Sequence, residues 1–328
     1  MNGISLAIVG ATGAVGRKFL EVLEERNLPI SKLVLFASNH SAGKVIKFKG
    51  LEYLVLELNE ENLLDNKVSY ALFSAGAIVS KTFAPLFVAN GTIVIDNSSA
   101  WRMDETVPLV VPEVNPGDAY GHQGIIANPN CSTIQAVVAL KPIHDIFPIK
   151  RVVISTYQAV SGAGQAGIAD LVNATTNKFP YPINGNVIPH IDIFLADGNT
   201  KEEDKMIREM RKIMHLPHLK VSATAVRVPV YNGHSESINV EFEKDYQLDQ
   251  IRAALAQAPG IIVKDNPTSN DYPMPVFASG HDEVFVGRIR NDASLEHGIN
   301  MFVVADNIRK GAATNAVQIL ELLVQEIR

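Results

Sequence analysis

Apolar and polar positions along the chain fall into two regimes. Residues 4–10, ISLAIVG, form a short, mostly apolar run, the pattern of a strand buried in a parallel sheet. GATGAVG (10–16) follows, and then RKFLEVLEERN (17–27), in which Phe19, Leu20 and Leu23 recur at helical spacing. KLVLFAS (32–38), VSYALFSAG (68–76) and TIVIDNSS (92–99) read as further strands, and KTFAPLFVANG (81–91) as a helix closed by Gly91. Residues 107–124 read as loops rich in proline and glycine. After residue 150 the strands lengthen and alternate, as in RVVISTYQAV, KVSATAVRVPV and SESINVEFEKD. The final stretch, NIRKGAATNAVQILELLVQEI, reads as a helix whose apolar face packs back on the first half.

Strand, glycine turn and helix at the N-terminus make the first step of a dinucleotide-binding unit. Gly10, Gly13 and Gly16 form a G-x-x-G-x-x-G variant that gives a tight turn and close backbone approach to a pyrophosphate. With Thr12, Ala14 and Val15 they are the expected phosphate-binding residues; glycines also end strands for purely structural reasons. An NAD site usually carries an acid at the end of the second strand. Here Ser38, Asn39, His40, Ser41 and Lys44 stand there, neutral donors and a cation that suit a 2′-phosphate, so NADP is the expected cofactor. The same residues would also make an ordinary polar loop. Ser74 and Gly76, after the VSYALF strand, are small enough to let a nucleotide lie close. The expected fold class is α/β, a Rossmann-type dinucleotide-binding domain over residues 1–130, rejoined by a C-terminal helix 307–328. An α+β domain with a largely antiparallel sheet, residues 131–306, completes it.

Composition narrows the function classes. The chain has 328 residues, 47% of them hydrophobic, enough for a large core and two domains. A net charge of −6 with acids and bases interspersed argues against nucleic-acid or membrane-surface partners. One cysteine can form neither an internal disulfide nor a thiolate zinc cluster, so no metal is expected. The N-terminus does not read as a signal peptide and no apolar run approaches a membrane span, so the expected location is the cytoplasm.

That cysteine, Cys131, sits in ANPNCSTIQAVVAL (127–140), at the start of an apolar helix whose dipole and free amides would stabilise a thiolate. A lone cysteine is also often a small buried hydrophobe; polar Asn128, Asn130 and Ser132 around it favour the thiolate. A nucleophile needs a proton partner and an anchor for its substrate. His234, in RVPVYNGHSES, is the candidate partner, and Arg227, seven residues earlier, a fork for a carboxylate. Arg102, in NSSAWR, is a second fork, equally suited to a surface ion pair.

These residues lie in ordered blocks that make the chain resemble the aspartate-semialdehyde dehydrogenases from end to end. The blocks are GATGAVG, ASNHSAGK, LFSAG, VIDNSSAWR, PLVVPEVN, NPNCSTIQ, VISTYQAVSGAG, VRVPVYNGHSES, VGRIR and DNIRKGAATNAVQI. The resemblance implies that Cys131 is the nucleophile, that Gln158 orients the intermediate and that His234 is the acid/base. It implies that Arg227 grips the substrate carboxylate and Glu202 its ammonium, with Glu203 a close rival in register. Lys205, Arg102 and Asn130 would bind phosphate, and Ser161, Gly162, Gly164 and Gln318 would join the cofactor site. The implied reaction is oxidation of L-aspartate 4-semialdehyde to 4-aspartyl phosphate through a cysteine thioester, by a homodimer, in lysine, methionine and threonine biosynthesis. Two departures stand out: Ala225 replaces a cysteine often found two residues before the gripping arginine, and His40 replaces a common arginine, which would relax the preference for NADP over NAD. The rivals are an N-acetyl-glutamyl-phosphate reductase-like enzyme, whose acylated substrate amine would need no acidic partner, and a non-catalytic NADP-binding paralogue, which would have no reason to keep both Cys131 and His234.

Overall fold

The computed structural model describes residues 3–326. Contacts divide the chain into two units, one running to Pro129 and taking in the chain from Ala312 onward, the other Asn130–Gly311.

In the first unit β1 (Ile4–Val9) leads through the glycine turn to α1 (Ala14–Glu25) and β2 (Ile30–Ala37). A hairpin of β3 (Val45–Phe48) and β4 (Leu51–Glu57) follows, then α2 (Glu60–Asp65), β5 (Tyr70–Phe73), α3 (Ala77–Ala89), β6 (Ile93–Asp96) and β7 (Ile125–Ala127). They form one seven-stranded sheet in the order β3-β4-β2-β1-β5-β6-β7. Every junction is parallel except β3–β4. Central β1 pairs with β2 on one side and β5 on the other, Val9 opposite Phe36 and Phe73. The winding therefore reverses at β1, and the carboxyl ends of the strands at such a reversal are where open α/β sheets bind their ligands.

The apolar stripe of α1, Phe19, Leu20 and Leu23, packs into a core with Leu6, Ile8, Leu35, Leu72 and Ile95. The C-terminal helix, Thr314–Glu326, adds Val317, Leu320 and Leu323 to that core. This helix is shorter than the expected 307–328. A π-helical turn, Arg309–Ala313, precedes it, and residues 327 and 328 lie outside the described residues. Asp306 Oδ1 accepts from the amides of Ile308 and Arg309, which starts a separate turn before the regular helix begins. The stretch expected as loop also contains a short 3₁₀ helix, Pro116–Gly121.

The second unit opens with α4 (Cys131–Ile146) and β8 (Ile149–Gln158). After α5 (Gly164–Asn173) and α6 (Lys201–Ile213) come β9 (Lys220–Arg227), β10 (His234–Phe242), α7 (Leu248–Gln257) and β11 (Ile261–Val263). Last are α8 (Pro275–Ala278), β12 (Val284–Asn291) and β13 (Gly298–Ala305). The six strands run β11-β12-β13-β10-β8-β9. The inner junctions are antiparallel and the two outer ones parallel. The parallel β8–β9 pair has the long crossover such a pair requires, here α5 and α6. α4 packs on this sheet and against α6 and α7. Its first part is buried all round, with Ile134, Ala136, Val137, Ala139 and Leu140 fully buried, while Lys141 and Asp145 pair on the surface near its end.

Candidate active site

Cys131 is the first residue of α4, and Asn130 is its N-cap. Asn130 Oδ1 accepts from the amides of Ser132 at 3.0 Å and Thr133 at 3.3 Å. Two carboxylates of α6 hold Asn130 from behind. Its Nδ2 donates to Glu202 Oε1 at 2.9 Å and its backbone N–H to Glu209 Oε2 at 2.6 Å. Glu202 and Glu209 are two helical turns apart and so share a face of α6. Cys131 thus sits on a braced helix N-terminus, where the peptide dipoles favour a thiolate. Gly311 comes so close that a Cβ there would stand 2.9 Å from Cys131 Cβ.

The backbone of Ala159, just past the end of β8, serves both His234 and Arg227. Its N–H donates to His234 Nδ1 at 3.1 Å, and its carbonyl accepts from Arg227 Nη1 at 2.7 Å. Because Nδ1 is an acceptor, the neutral imidazole carries its proton on Nε2, which has no partner of its own. Burial, and secondarily the Arg227 charge, hold the His234 pKa well below its usual value, so the ring is neutral. Arg227 is itself buried, with Nε unpartnered; burial lowers its pKa while the charges of Glu202 and Cys131 raise it. The guanidinium remains a cation, and those two causes place Glu202 and Cys131 within its electrostatic reach. It lies 5.8 Å over the ring of Phe179. Buried Asp170 fixes Phe179 by accepting from the amides of Asn177, Lys178 and Phe179 and from Thr175 Oγ1. Gly162 packs against both groups; a Cβ there would stand 3.1 Å from His234 Nε2 and 3.2 Å from Arg227 Nη1.

Glu202 and Glu203 have different duties. Glu203 closes a capping box with Thr200 and accepts from the amide of Ala225, so its carboxylate is taken up by structure. Glu202 turns toward the site, accepting from Asn130 and, at 3.2 Å, from Gln158 Nε2. Gln158 also donates to Thr156 Oγ1. Lys205 bridges Glu202 at 3.2 Å and Asp192 at 2.6 Å; burial opposes its charge, but the two carboxylates raise its pKa.

Among the residues expected at the cofactor, Gly10, Thr12, Gly13, Ala14, Val15, Gly16, Ser38, His40, Ser41, Ser74, Gly76 and Gln318 belong to the first unit. Ser161, Gly162 and Gly164 belong to the second, where Ser161 Oγ bonds Asn232 and Asn307. Gly10 (φ +89°) lies over β5's exit, and a Cβ on it would stand 2.4 Å from Ser74 O. A Cβ on Gly16 would stand 2.1 Å from Gly10 O. No side chain caps α1 and its first turn carries no acid, which leaves amides for an anion. Ser38 precedes the 3₁₀ turn Asn39–Ser41 that carries exposed His40, with no capping bond from its side chain; Lys44 reaches Ser41 Oγ at 3.4 Å, and Asn39 donates to Glu57. Gln318 donates to Glu113. Arg102, also in the first unit, is buried and donates to the carbonyls of Asn128 and Asn97.

Glu209, Gly311 and the backbone of Ala159 were not among the residues the sequence pointed to. A peptide group and a missing Cβ leave no chemical signature in a sequence. Glu209 has a periodic one, seven residues after Glu202 on the same helix.

The family model "Semialdehyde dehydrogenase, NAD binding domain" matches residues 5–122, and "Semialdehyde dehydrogenase, dimerisation domain" matches residues 140–310. The aspartate-semialdehyde dehydrogenase of Aquifex aeolicus is 61% identical over 99% of both chains. A crystal structure of aspartate semialdehyde dehydrogenase II from Vibrio cholerae, complexed with ASA, superposes with a TM-score of 0.95, at 48% identity over 99% of both chains. The enzyme from Candida albicans, crystallised with NADP, gives 0.77 at 27% identity over 98% of both. With relatives this similar over its whole length, the chain belongs to the aspartate-semialdehyde dehydrogenase family.

Proposed function

We propose that the chain catalyses the reversible, NADP-dependent and phosphate-dependent oxidation of L-aspartate 4-semialdehyde to 4-aspartyl phosphate. It does so as a cytoplasmic homodimer serving lysine, methionine and threonine biosynthesis. One observation carries the reading: a braced helix N-terminus bearing Cys131 shares a unit with a carboxylate facing inward, Glu202, and with His234 and Arg227 held on the backbone of one residue, Ala159.

The amino-acid end of the substrate needs one anion and one cation, and Glu202 and Arg227 supply them. Cys131 enters as a thiolate and attacks the aldehyde carbon, so the tetrahedral adduct forms directly as an oxyanion and no base has to remove a proton. His234 Nε2–H then donates to that oxygen. Since Nδ1 is occupied by the Ala159 amide, the acid/base role expected of His234 narrows to its donor half. Gln158, anchored to Glu202 and Thr156, orients the adduct. The glycine cradle, with no room for a Cβ at Gly10 or Gly16, and the free amides of α1 fit a dinucleotide, and NADP held there supplies the acceptor for the hydride that leaves the adduct's carbon. The resulting thioester on Cys131 is attacked by hydrogen phosphate. Its carbon–sulfur bond breaks, Cys131 leaves as thiolate onto α4's N-terminus, and the phosphate proton passes to solvent. Arg102, Lys205 and the remaining Nδ2 proton of Asn130 are the phosphate ligands in this reading. For the homodimer, the outward face of the second sheet supports the assignment: Tyr157 is exposed there, 6.2 Å from the half-buried Phe302.

The test is NADPH formation with aspartate semialdehyde, with and without phosphate, and with NAD in place of NADP. Phosphate-dependent turnover is expected, and the ratio of the two cofactors measures what His40 contributes. Turnover that ignores phosphate, or none despite tight NADPH binding, would refute the reaction.

A further inference from the structure

Glu236, the third residue of β10, is fully buried, and neither carboxylate oxygen has a hydrogen-bond partner. In register beside it on the same face stand Thr156 of β8 and Val303 of β13, and α4 covers that face. The side chain of Gln135, one turn after Cys131 on α4, lies against its carboxyl. Gln135 Nε2 donates to the backbone carbonyl of His234 at 3.3 Å, while Gln135 Oε1 accepts from nothing. So a fully buried acid lies against a buried amide, and neither its carboxylate oxygens nor the amide oxygen has a hydrogen-bond partner.

An ionised carboxylate with no counter-charge is among the costliest groups to bury. Its own strand carries His234, which is neutral, and α4 carries Cys131; Glu202, Glu209 and Arg227 are engaged around Asn130 and Ala159. No charged group offsets the burial, which pushes Glu236 well above the usual carboxylate range with only the Gln135 amide pulling it back. A protonated carboxyl has the one donor that Gln135 Oε1 lacks.

We infer that Glu236 keeps its proton in the native enzyme and donates it to Gln135 Oε1, so that the pair ties the His234 strand to the first turns of the Cys131 helix. Glu236 and Gln135 are then positioning residues: they fix the approach of nucleophile and hydrogen-bond donor without touching substrate. The inference rests on the catalytic reading above only for its effect on turnover.

Its sign with pH follows from linkage. Unfolded, Glu236 titrates near its ordinary 4.5; folded, it titrates higher. The stability its proton contributes is complete below the unfolded value and is lost as pH rises toward the folded one. Glu236→Gln keeps shape, donor and acceptor but cannot ionise; Glu236→Ala removes the tie. The amide variant should retain kcat within about threefold of wild type at neutral pH, and its urea midpoint should fall less on going from about pH 5 to 8. The alanine variant should lose about tenfold or more in kcat with a smaller change in KM. Infrared spectra of the wild type should contain the C=O stretch of a protonated buried carboxyl, absent from Glu236→Gln. A glutamine variant as impaired as alanine, an unchanged pH slope, or no such band would overturn the inference. The slope and the band are read without turnover, so they remain decisive if the proposed reaction fails or if Glu236→Ala does not fold.

Discussion

Single side chains at this site are distinguished by what already occupies them. Glu202 and Glu203 are adjacent and chemically identical, yet one faces Asn130 and Gln158 while the other closes a capping box. Glu203→Gln removes one of the two oxygens that accept from Thr200 and Ala225, and should cost about 1 kcal/mol of stability, with KM for the aldehyde unchanged. Glu202→Gln should do the reverse, lowering kcat/KM about tenfold or more as the ammonium loses its charge partner. Urea unfolding and steady-state kinetics on both variants check this, and the opposite pattern would exchange their roles. The sequence reading left Glu203 a close rival of Glu202, although Thr200 followed three residues later by Glu203 is a capping-box signature that separates the two. Cys131→Ala should abolish turnover and leave NADPH binding intact, by fluorescence titration, since the glycine cradle belongs to the other unit. Loss of binding as well would undo that separation of roles.

Elements were most legible where one period dominates. The strand, glycine turn and helix of residues 4–25 are where apolar runs and helical spacing place them, and Gly10 and Gly16 have the steric reason a phosphate turn demands. Gly16→Ala would drive a methyl to 2.1 Å from Gly10 O, so it should lower stability by about 2 kcal/mol or more and weaken NADPH binding. Gly13→Ala, at φ −73° with its nearest neighbour 3.3 Å away, should be milder in both respects. The turn at 309–313 was hidden because helical periodicity continues through it; Asp306 and the close packing of Gly311 on Cys131 decide its shape. The segment after α5 is governed by charge. Burial opposes ionisation of Asp170, but Thr175 and three backbone amides hold its pKa down to about 2. Its contribution is complete above the ordinary 3.8 and is lost as pH falls from there through the folded value of about 2. Asp170→Asn should therefore unfold at lower urea than wild type at neutral pH, with a gap that narrows below about pH 4. Because Phe179 underlies Arg227, KM for the aldehyde should rise as well.

At the scale of the whole molecule, the shift from uninterrupted apolar strands to longer alternating ones announced a second sheet with one face open, because alternation puts every other side chain outward. The parallel outer junctions of that sheet could not be read from alternation, which is the same in both orientations; the chain between β8 and β9 decides one of them. On β8, Val152, Ile154 and Thr156 point to the buried side while Val153, Ser155 and Tyr157 point away. β10 and β13 continue that outer face with Ser237, Asn239 and Phe302, all half-buried. Small polar side chains around an aromatic pair suit a second sheet laid against this one better than bulk water, which has no use for the exposed ring of Tyr157. Tyr157→Glu would place a charge at the centre of such a contact, where it would be desolvated without a partner. Light scattering should find the wild type at twice the chain mass and the variant at the chain mass, with far-UV circular dichroism unchanged. A monomeric wild type, or a variant that stays paired, would move the interface to another surface; a folded monomer with full turnover would show that each subunit holds a complete site.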